Sequence, residues 1–294
     1  MMMQNALEVM VIVLGVAQDG GIPHAGCDQD CCKNAWEHEA LRRKSACLGI
    51  VDPISGERWM IDATLDFKWQ LHRLQKFMGL ASTQQSFDGI LLTHGHVGHF
   101  AGLLHLEKAV MNTSEIPVYA MPRMCQFLSE HLPWKSMVER RNIVLKPMQN
   151  EVSIPLNDRI HITPFLVPHR DEFTETVGFM IQGLQKKILY IPDIDSWDTF
   201  ATIDHLVIEA DHILVDGTFF SAKELGGRDM SQVPHPTIEI SLERFSSLPA
   251  WKKAEFYFIH LNHTNPCLNP QSGEYQRVIN SGFKIAQEGQ MYPL

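Results

Sequence analysis

Three histidines fall within six residues in Leu91 to Phe100, LLTHGHVGHF, directly behind an apolar run from Gly89. His94 and His96 alternate as strand or turn residues do, so both imidazoles can face one point, and His99 follows on the first turn of the helical-period segment FAGLLHLEKAV. Imidazoles converging in this way suit a borderline divalent ion such as Zn²⁺. A histidine-rich turn without a ligand is the duller reading, and three imidazoles at this spacing after a strand argue against it. A second candidate group, Cys27, Cys31 and Cys32, offers three thiolates, whereas a structural zinc needs four ligands, so one must come from elsewhere.

The elements that must carry these side chains are strands ending in polar residues. Val9 to Val16 reads as a first strand and opens into the glycine-, proline- and cysteine-rich loop AQDGGIPHAGCDQDCCKNAW, which lacks both the GxGxxG spacing and the closing lysine of a phosphate cradle. Ala46 to Val51 and Arg58 to Ile61 form a hairpin through Asp52-Pro53-Ile54-Ser55-Gly56, and Leu65 to Met78 has the period of an amphipathic helix. Further strands are expected at Ile116 to Ala120, Ile143 to Lys146, Arg159 to Val167 and Thr176 to Ile181, with a helix over Arg123 to His131. Four strand ends deliver ligand-type residues: Ile162 to Val167 runs to His169, Lys187 to Ile191 to Asp193, Ile213 to Val215 to Asp216, and Phe256 to Ile259 to His260 and His263. One such end means little; several in order imply convergence on a sheet edge, where loops gather to make sites.

The order HxHxxH, then His169, Asp193 and His260, resembles the ligand order of the metallo-β-lactamase superfamily, whose HxHxDH signature departs here at one position, Gly98. The resemblance implies an α+β fold, an αββα four-layer sandwich spanning 1–294 as a single domain. It implies His94, His96 and His169 around a first ion, Asp193 as a bridge, and His99 with His260 around a second, with Asp193 and His260 as the catalytic pair. Glycine at 98 has no donor, so the second site is expected to be weak, empty or completed by a carboxylate such as Asp229 or Asp195. The opening LGVAQDGGIPHAGCDQDCC and the closing FIHLNHTNPCLNP and GFKIAQEGQM are similar to the ends of the pyrroloquinoline quinone biosynthesis protein B family, and more distantly to the phosphodiesterase of phosphonate breakdown. In those relatives the cysteine loop and the later histidine hold a structural zinc, here Cys27, Cys31, Cys32 and His263. The CxxxCC spacing leaves open whether one of Cys31 and Cys32 stands aside, with Cys267 as a substitute; Cys47, Cys125 and Cys267 otherwise read as buried thiols.

Composition narrows the partners. At 294 residues and 45% apolar the chain can bury a large core, and a formal charge of −9 argues against a nucleic-acid-tracking surface. No apolar run approaches the roughly 20 residues of a membrane span. The opening lacks a basic n-region and a small-residue cleavage site, which points to the cytoplasm, where clustered cysteines are metal ligands rather than disulfides. A small-molecule substrate is expected, and a homodimer is allowed.

His235, Arg228 and Asp229 are candidates to line its pocket, while Arg170, Asp171 and Glu172 either orient imidazoles or are ordinary turn charges. Asp62 and Asp88 read as scaffold, Arg42-Arg43-Lys44 as a solvated helix end with anion holding as the alternative, and His24, His72, His105, His161, His205 and His212 as surface or core residues. A zinc ion lowers the pKa of water to about 7, so hydrolysis of an ester, lactone, amide or phosphodiester is the leading expectation. Fe or Mn is allowed at the same ligands; one Fe²⁺ held by the histidines and Asp193 would instead suit an oxidoreductase in quinone biosynthesis, and a non-catalytic carrier is the third class.

Overall fold

A computed structural model describes residues 8–77, 87–225 and 233–294. Among the described residues, fourteen strands form two seven-stranded sheets. The strands are β1 (Met10–Gly15), β2 (Cys47–Val51), β3 (Arg58–Ile61), β4 (Gly89–Leu91), β5 (Ile116–Ala120), β6 (Ile143–Pro147), β7 (Ile154–Asn157), β8 (Ile160–Leu166), β9 (Val177–Gln182), β10 (Lys187–Ile191), β11 (His212–Asp216), β12 (Phe256–Ile259), β13 (Lys284–Ile285) and β14 (Met291–Pro293). The first sheet runs β14-β1-β2-β3-β4-β5-β6 and the second β13-β12-β11-β10-β9-β8-β7.

The strand alternation explains the layers. Val11 and Val13 of β1 join the core between the sheets, while Ile12 and Leu14 face the core beneath the helices Phe67–Lys76 and Pro122–Glu130. In β12, Tyr257 and Ile259 point between the sheets, and Phe256 and Phe258 pack with Ile203, Ile238, Leu242 and Val278 of the opposite outer helices. A strand buried on both faces must be apolar at successive positions, hence MVIVLG, KILYI and FYFI. The result is the αββα four-layer sandwich. Phe258→Ala, which empties a fully buried site in the outer core, is expected to cost about 3–5 kcal/mol, read as a lowered urea midpoint.

Three elements differ from the sequence expectation. The cysteine loop contains a helix, Asp30–Glu37, which carries Cys31 and Cys32 in its first turn. FAGLLHLEKAV is not one α-helix: Val97–Phe100 is followed by a 3₁₀ segment, Ala101–Leu106. Gly102 donates its N–H to Ala63 O at 2.8 Å and sits so close to Thr64 O that a Cβ would lie 2.1 Å from it, which fixes the backbone outside the helical ladder. The helix expected over Leu65 to Met78 is described only from Phe67 to Lys76, and Met78 lies outside the described residues. Strands β7, β13 and β14 and the helices Trp134–Glu139, Ile203–Glu209, Ile238–Arg244 and Gly273–Asn280 were not expected; the strands are short, and the helices are amphipathic runs of one to two turns. Among the described residues no helix is long and apolar enough to cross a membrane.

Candidate metal centre

The ends of β1, β3, β4, β8, β10, β11 and β12 open onto one rim, and their following residues fill it. His94 Nε2 lies 2.9 Å from His96 Nδ1, which lies 3.3 Å from His169 Nε2. Three nitrogens about 2.0–2.1 Å from a tetrahedral zinc would stand about 3.3 Å apart, close to these spacings. Two of the three outward nitrogens are occupied: His94 Nδ1 is 2.9 Å from Thr93 Oγ1, and His169 Nδ1 is 2.9 Å from Asp195 Oδ1, while His96 Nε2 is buried without a hydrogen-bond partner among the described residues. Such partners fix the ring orientation and the tautomer and leave the inward nitrogen lone pair available. Asp195→Ala, which leaves every inward atom in place, is expected to weaken metal retention or activity about 10- to 100-fold, measured by competition with a chelator.

A second group forms beside the first. His99 Nε2 lies 3.2 Å from Asp19 Oδ1 and 3.0 Å from Asp193 Oδ2, and His260 Nε2 lies 3.5 and 3.4 Å from the same two oxygens. Among the described residues, the carboxylate that joins Asp193 at His99 Nε2 and His260 Nε2 is Asp19, in the loop after β1. Asp195 serves His169 from behind, and Asp229 lies outside the described residues. Asp19 occupies the room left by Gly98, where an added Cβ would lie 2.3 Å from its Oδ1 and 2.6 Å from its Cα. Sequence reading passed over Asp19 because an aspartate before Gly20-Gly21 looks like a turn residue; the missing carboxylate at 98 was the signal that another must stand there.

Asp193 lies between the two groups, its Oδ2 3.8 Å from His94 Nε2 and its Oδ1 3.9 Å from His169 Nε2. Burial alone would raise its pKa, but His260, His99 and His169 outweigh this and hold the carboxyl well below the usual range. Burial would likewise depress His99, yet Asp62, Asp19 and Asp193 push it well above the ordinary imidazole value. His94 goes the other way, lowered by burial and then by His99, and His96 falls to about 4 by burial and His169. Asp193 Oδ2 and His260 Nε2 are buried without a hydrogen-bond partner among the described residues. Orphaned acceptors facing one another at this range are the donor set a cation satisfies.

Two backbone features hold the set. Asp62 (φ 70°) and His260 (φ 64°) adopt the left-handed region, uncommon for non-glycine residues and concentrated at functional sites. Asp62 accepts from Thr93 N at 2.8 Å and pairs with His99 Nδ1 at 2.7 Å; Thr218 Oγ1 stands 3.0 Å from His260 Nδ1. Asp88 only accepts from Arg58 N, at 2.7 Å.

Of the pocket candidates, His235 is buried with Nδ1 2.6 Å from Asp216 Oδ2 and 3.9 Å from Asp193 Oδ1. Burial would lower its pKa, but Asp216 outweighs this and brings it up to about 9. Arg228 lies outside the described residues, as does Asp229. Arg170 pairs with Glu172 at 3.0 Å, and Glu172 Oε1 stands 3.7 Å from His96 Nε2. A cavity of about 410 Å³ over the rim is lined by Asp19, His96, Val97, Phe100, Phe127, Arg170 and Phe173.

Beside the rim, Cys27, Cys31, Cys32 and His263 gather within 4.8 Å. Sγ of Cys31 is 3.7 Å from that of Cys27 and 4.0 Å from that of Cys32, and His263 Nδ1 is 3.4 Å from both Cys31 and Cys32. Zn–S bonds of about 2.3 Å at tetrahedral angles place sulfurs about 3.8 Å apart, close to both Cys31 spacings, so Cys31 and Cys32 both lie within reach of one ion. Cys267 is buried in the outer core, outside the group. Burial, Cys27 and Cys32 push the Cys31 thiol up to about 12. His24, read as an ordinary histidine, stacks on His263 at 4.6 Å between ring centroids. Chelation of an ion at 1,000-fold its Kd removes about 4 kcal/mol. The melting temperature should then fall by roughly 8 °C or more in EDTA, at about 2–4 °C per kcal/mol, and Cys31→Ser should remove much of that difference.

Residues 57–261 match the β-lactamase superfamily domain. The coenzyme PQQ synthesis protein B of Xanthomonas oryzae pv. oryzae (strain MAFF 311018) is 27% identical, covering 95% of this chain and 98% of that protein. A protein of the same name from Methylorubrum extorquens gives the same figures, 27%, 95% and 98%. The solved Zn²⁺-bound PqqB from Methylobacterium extorquens shares the fold at a TM-score of 0.81 and 23% identity, over 97% of this chain and 100% of that one. A diphosphatase from the PhnP family aligns at a TM-score of 0.70 and 22% identity, over 98% and 97% of the two chains.

Proposed function

Because this chain belongs to the β-lactamase superfamily, we propose that it is a metal-dependent hydrolase of a small-molecule ester, lactone, amide or phosphodiester, with two ions at the rim and a third at the cysteine group. The observation that carries this is Asp19: with it, His99, His260 and Asp193 become a four-donor group, and the loss at position 98 no longer argues for a single-ion site. A phosphodiester is thereby favoured among the substrates, since two adjacent ions suit a phosphoryl centre better than one. The name of the PhnP-family neighbour, a diphosphatase, is consistent with that choice. Zinc fits the nitrogen-rich first group and the thiolates, and Mn or Fe fits the carboxylate-richer second group.

Bound there, divalent ions would supply Lewis acidity and lower the pKa of water. The chain's own residues do the rest. Thr93, Asp195, Asp62 and Thr218 hold the imidazoles with their inward nitrogens on the rim. Asp193 keeps a carboxylate between the two groups, close to imidazoles of both. His235 holds its proton against Asp216 at the wall of the centre, positioned to receive an anionic part of the substrate. Val97, Phe100, Phe127 and Phe173 give the cavity beside His96 an apolar lining, and Arg170, paired with Glu172, also lines it.

A second reading is an iron-dependent oxidoreductase in quinone-cofactor synthesis, favoured by relatives named coenzyme PQQ synthesis protein B that match nearly end to end. The test is to load the apoprotein with Zn²⁺ or Mn²⁺ and assay a panel of activated phosphodiesters, esters and lactones, in parallel with anaerobic Fe²⁺ loading and oxygen uptake. Metal-dependent release of product supports hydrolysis. Oxygen consumption by the iron form, with no turnover of any ester by a fully loaded protein, transfers the assignment to the second reading.

A further inference from the structure

On the far side of the segment that carries Asp19, a cleft of about 600 Å³ is lined by Arg42, Arg43, Lys44 and Arg73 and walled by Val16, Leu261, Leu268, Tyr275 and Ile285. Four cations face two carboxylates there, Glu39 and Glu288, which leaves a formal excess of two positive charges in a chain of net charge −9. Glu288 is shared, pairing with Lys44 at 3.2 Å and Arg73 at 3.0 Å. Arg42 and Arg43 have no carboxylate partner among the described residues. Their guanidinium groups are instead held by carbonyls: Arg42 donates to Ala35 O and Trp36 O at 3.1 Å, and Arg43 to Ala40 O at 2.9 Å and Arg42 O at 2.8 Å. Each keeps further N–H donors on a plane already fixed, so little side-chain entropy remains to be lost on binding.

We propose that this cleft binds a small phosphate monoester with an apolar substituent. The dianionic head matches the charge excess and the planar donors of Arg42 and Arg43, the substituent matches the aliphatic and aromatic wall, and the volume lies within the range of small-molecule sites. Arg42 caps the short 3₁₀ helix Glu39–Leu41 and is exposed, in keeping with a solvated helix end, and the proposal adds the alternative role of anion holding. Occupancy would also bear on the rim, because Leu261 N donates to Val16 O at 2.8 Å and Gln18 N to Leu261 O at 2.8 Å, tying the cleft wall to the residues beside Asp19 and His260.

The test uses the metal-loaded full chain, titrated calorimetrically with phenyl phosphate, benzoate and benzyl alcohol at two salt concentrations. Phenyl phosphate is expected to bind saturably and more weakly at high salt, benzoate at least tenfold more weakly, and benzyl alcohol not at all. The same titration of Asp193→Ala/His94→Ala/His96→Ala removes the contribution of both rim groups, and the event should persist. Arg42→Gln/Arg43→Gln should weaken it at least tenfold with metal content unchanged. Ala40→Trp, an exposed position that fills the cleft without altering charge, should abolish it even if the double variant folds poorly. Absence of binding, binding indifferent to both cleft variants, or binding lost only with the rim histidines would each overturn the proposal, and none of these depends on what reaction the rim performs.

Discussion

Asp193→Ala is expected to strip the rim of both its ions while the cysteine group keeps its own, so that metal content after dialysis against a weak chelator falls from three equivalents toward one. The reason lies in its position. Its Oδ2 stands 3.0 Å from His99 Nε2, 3.4 Å from His260 Nε2 and 3.8 Å from His94 Nε2, and its Oδ1 3.9 Å from His169 Nε2. No other carboxylate approaches imidazoles of both groups among the described residues. Removing it leaves the first group as three neutral nitrogens and the second with Asp19 alone for charge. Any hydrolytic activity should fall by at least the 10- to 100-fold that follows loss of a mere supporting partner. Elemental analysis of Asp193→Ala beside Asp195→Ala separates the roles: a variant of Asp193 that keeps all three ions would remove the case for a shared centre.

Much of this centre was legible before folding because its donors sit where the chain changes character. Leu91 to His94, Ile191 to Asp193 and Ile259 to His260 are each an apolar strand followed within three residues by a ligand-type side chain, and the rule that sites gather at such ends does not depend on knowing the sheet order. The supporting partners were less legible. Asp62 could be read as scaffold because it ends β3, but Thr93 and Thr218 have no pattern of their own, and their value lies only in standing about 3 Å from an imidazole. Asp216 was visible as a strand end, yet its pairing with His235 depends on a loop whose course the sequence does not specify. The outer helices Trp134–Glu139, Ile203–Glu209, Ile238–Arg244 and Gly273–Asn280 were missed because each runs only one or two turns and their apolar faces make sense only once the sheet beneath them exists. Asp19 was the hardest case, since its role is set by an atom that is absent 79 positions later.

That absence makes Asp19 and Gly98 a testable pair. An added Cβ at 98 would lie 2.3 Å from Asp19 Oδ1, 2.5 Å from its Cγ and 2.6 Å from its Cα, and the last is backbone, which no rotamer change relieves. Gly98 sits in the short helix Val97–Phe100 without a positive φ, so its own backbone tolerates a side chain and only the neighbour forbids one. Gly98→Ala is therefore expected to displace the Asp19 loop, costing about 1–3 kcal/mol as overpacked sites do, and to release the second ion. Gly98→Asp adds like charge to the clash and should be worse. Asp19→Gly alone should also release that ion, by deletion rather than displacement. Combining Asp19→Gly with Gly98→Asp removes the Oδ1 and Cγ contacts but keeps the one to Cα, so metal content should return in part toward that of the parent chain, to the extent that a glycine backbone at 19 gives way by a few tenths of an ångström. Such recovery is a coupling of the two positions well beyond additivity, the signature of groups that share one site. If Gly98→Ala retains every ion and melts with the parent, or if Asp19→Gly retains every ion, Asp19 is not the carboxylate that completes the second group.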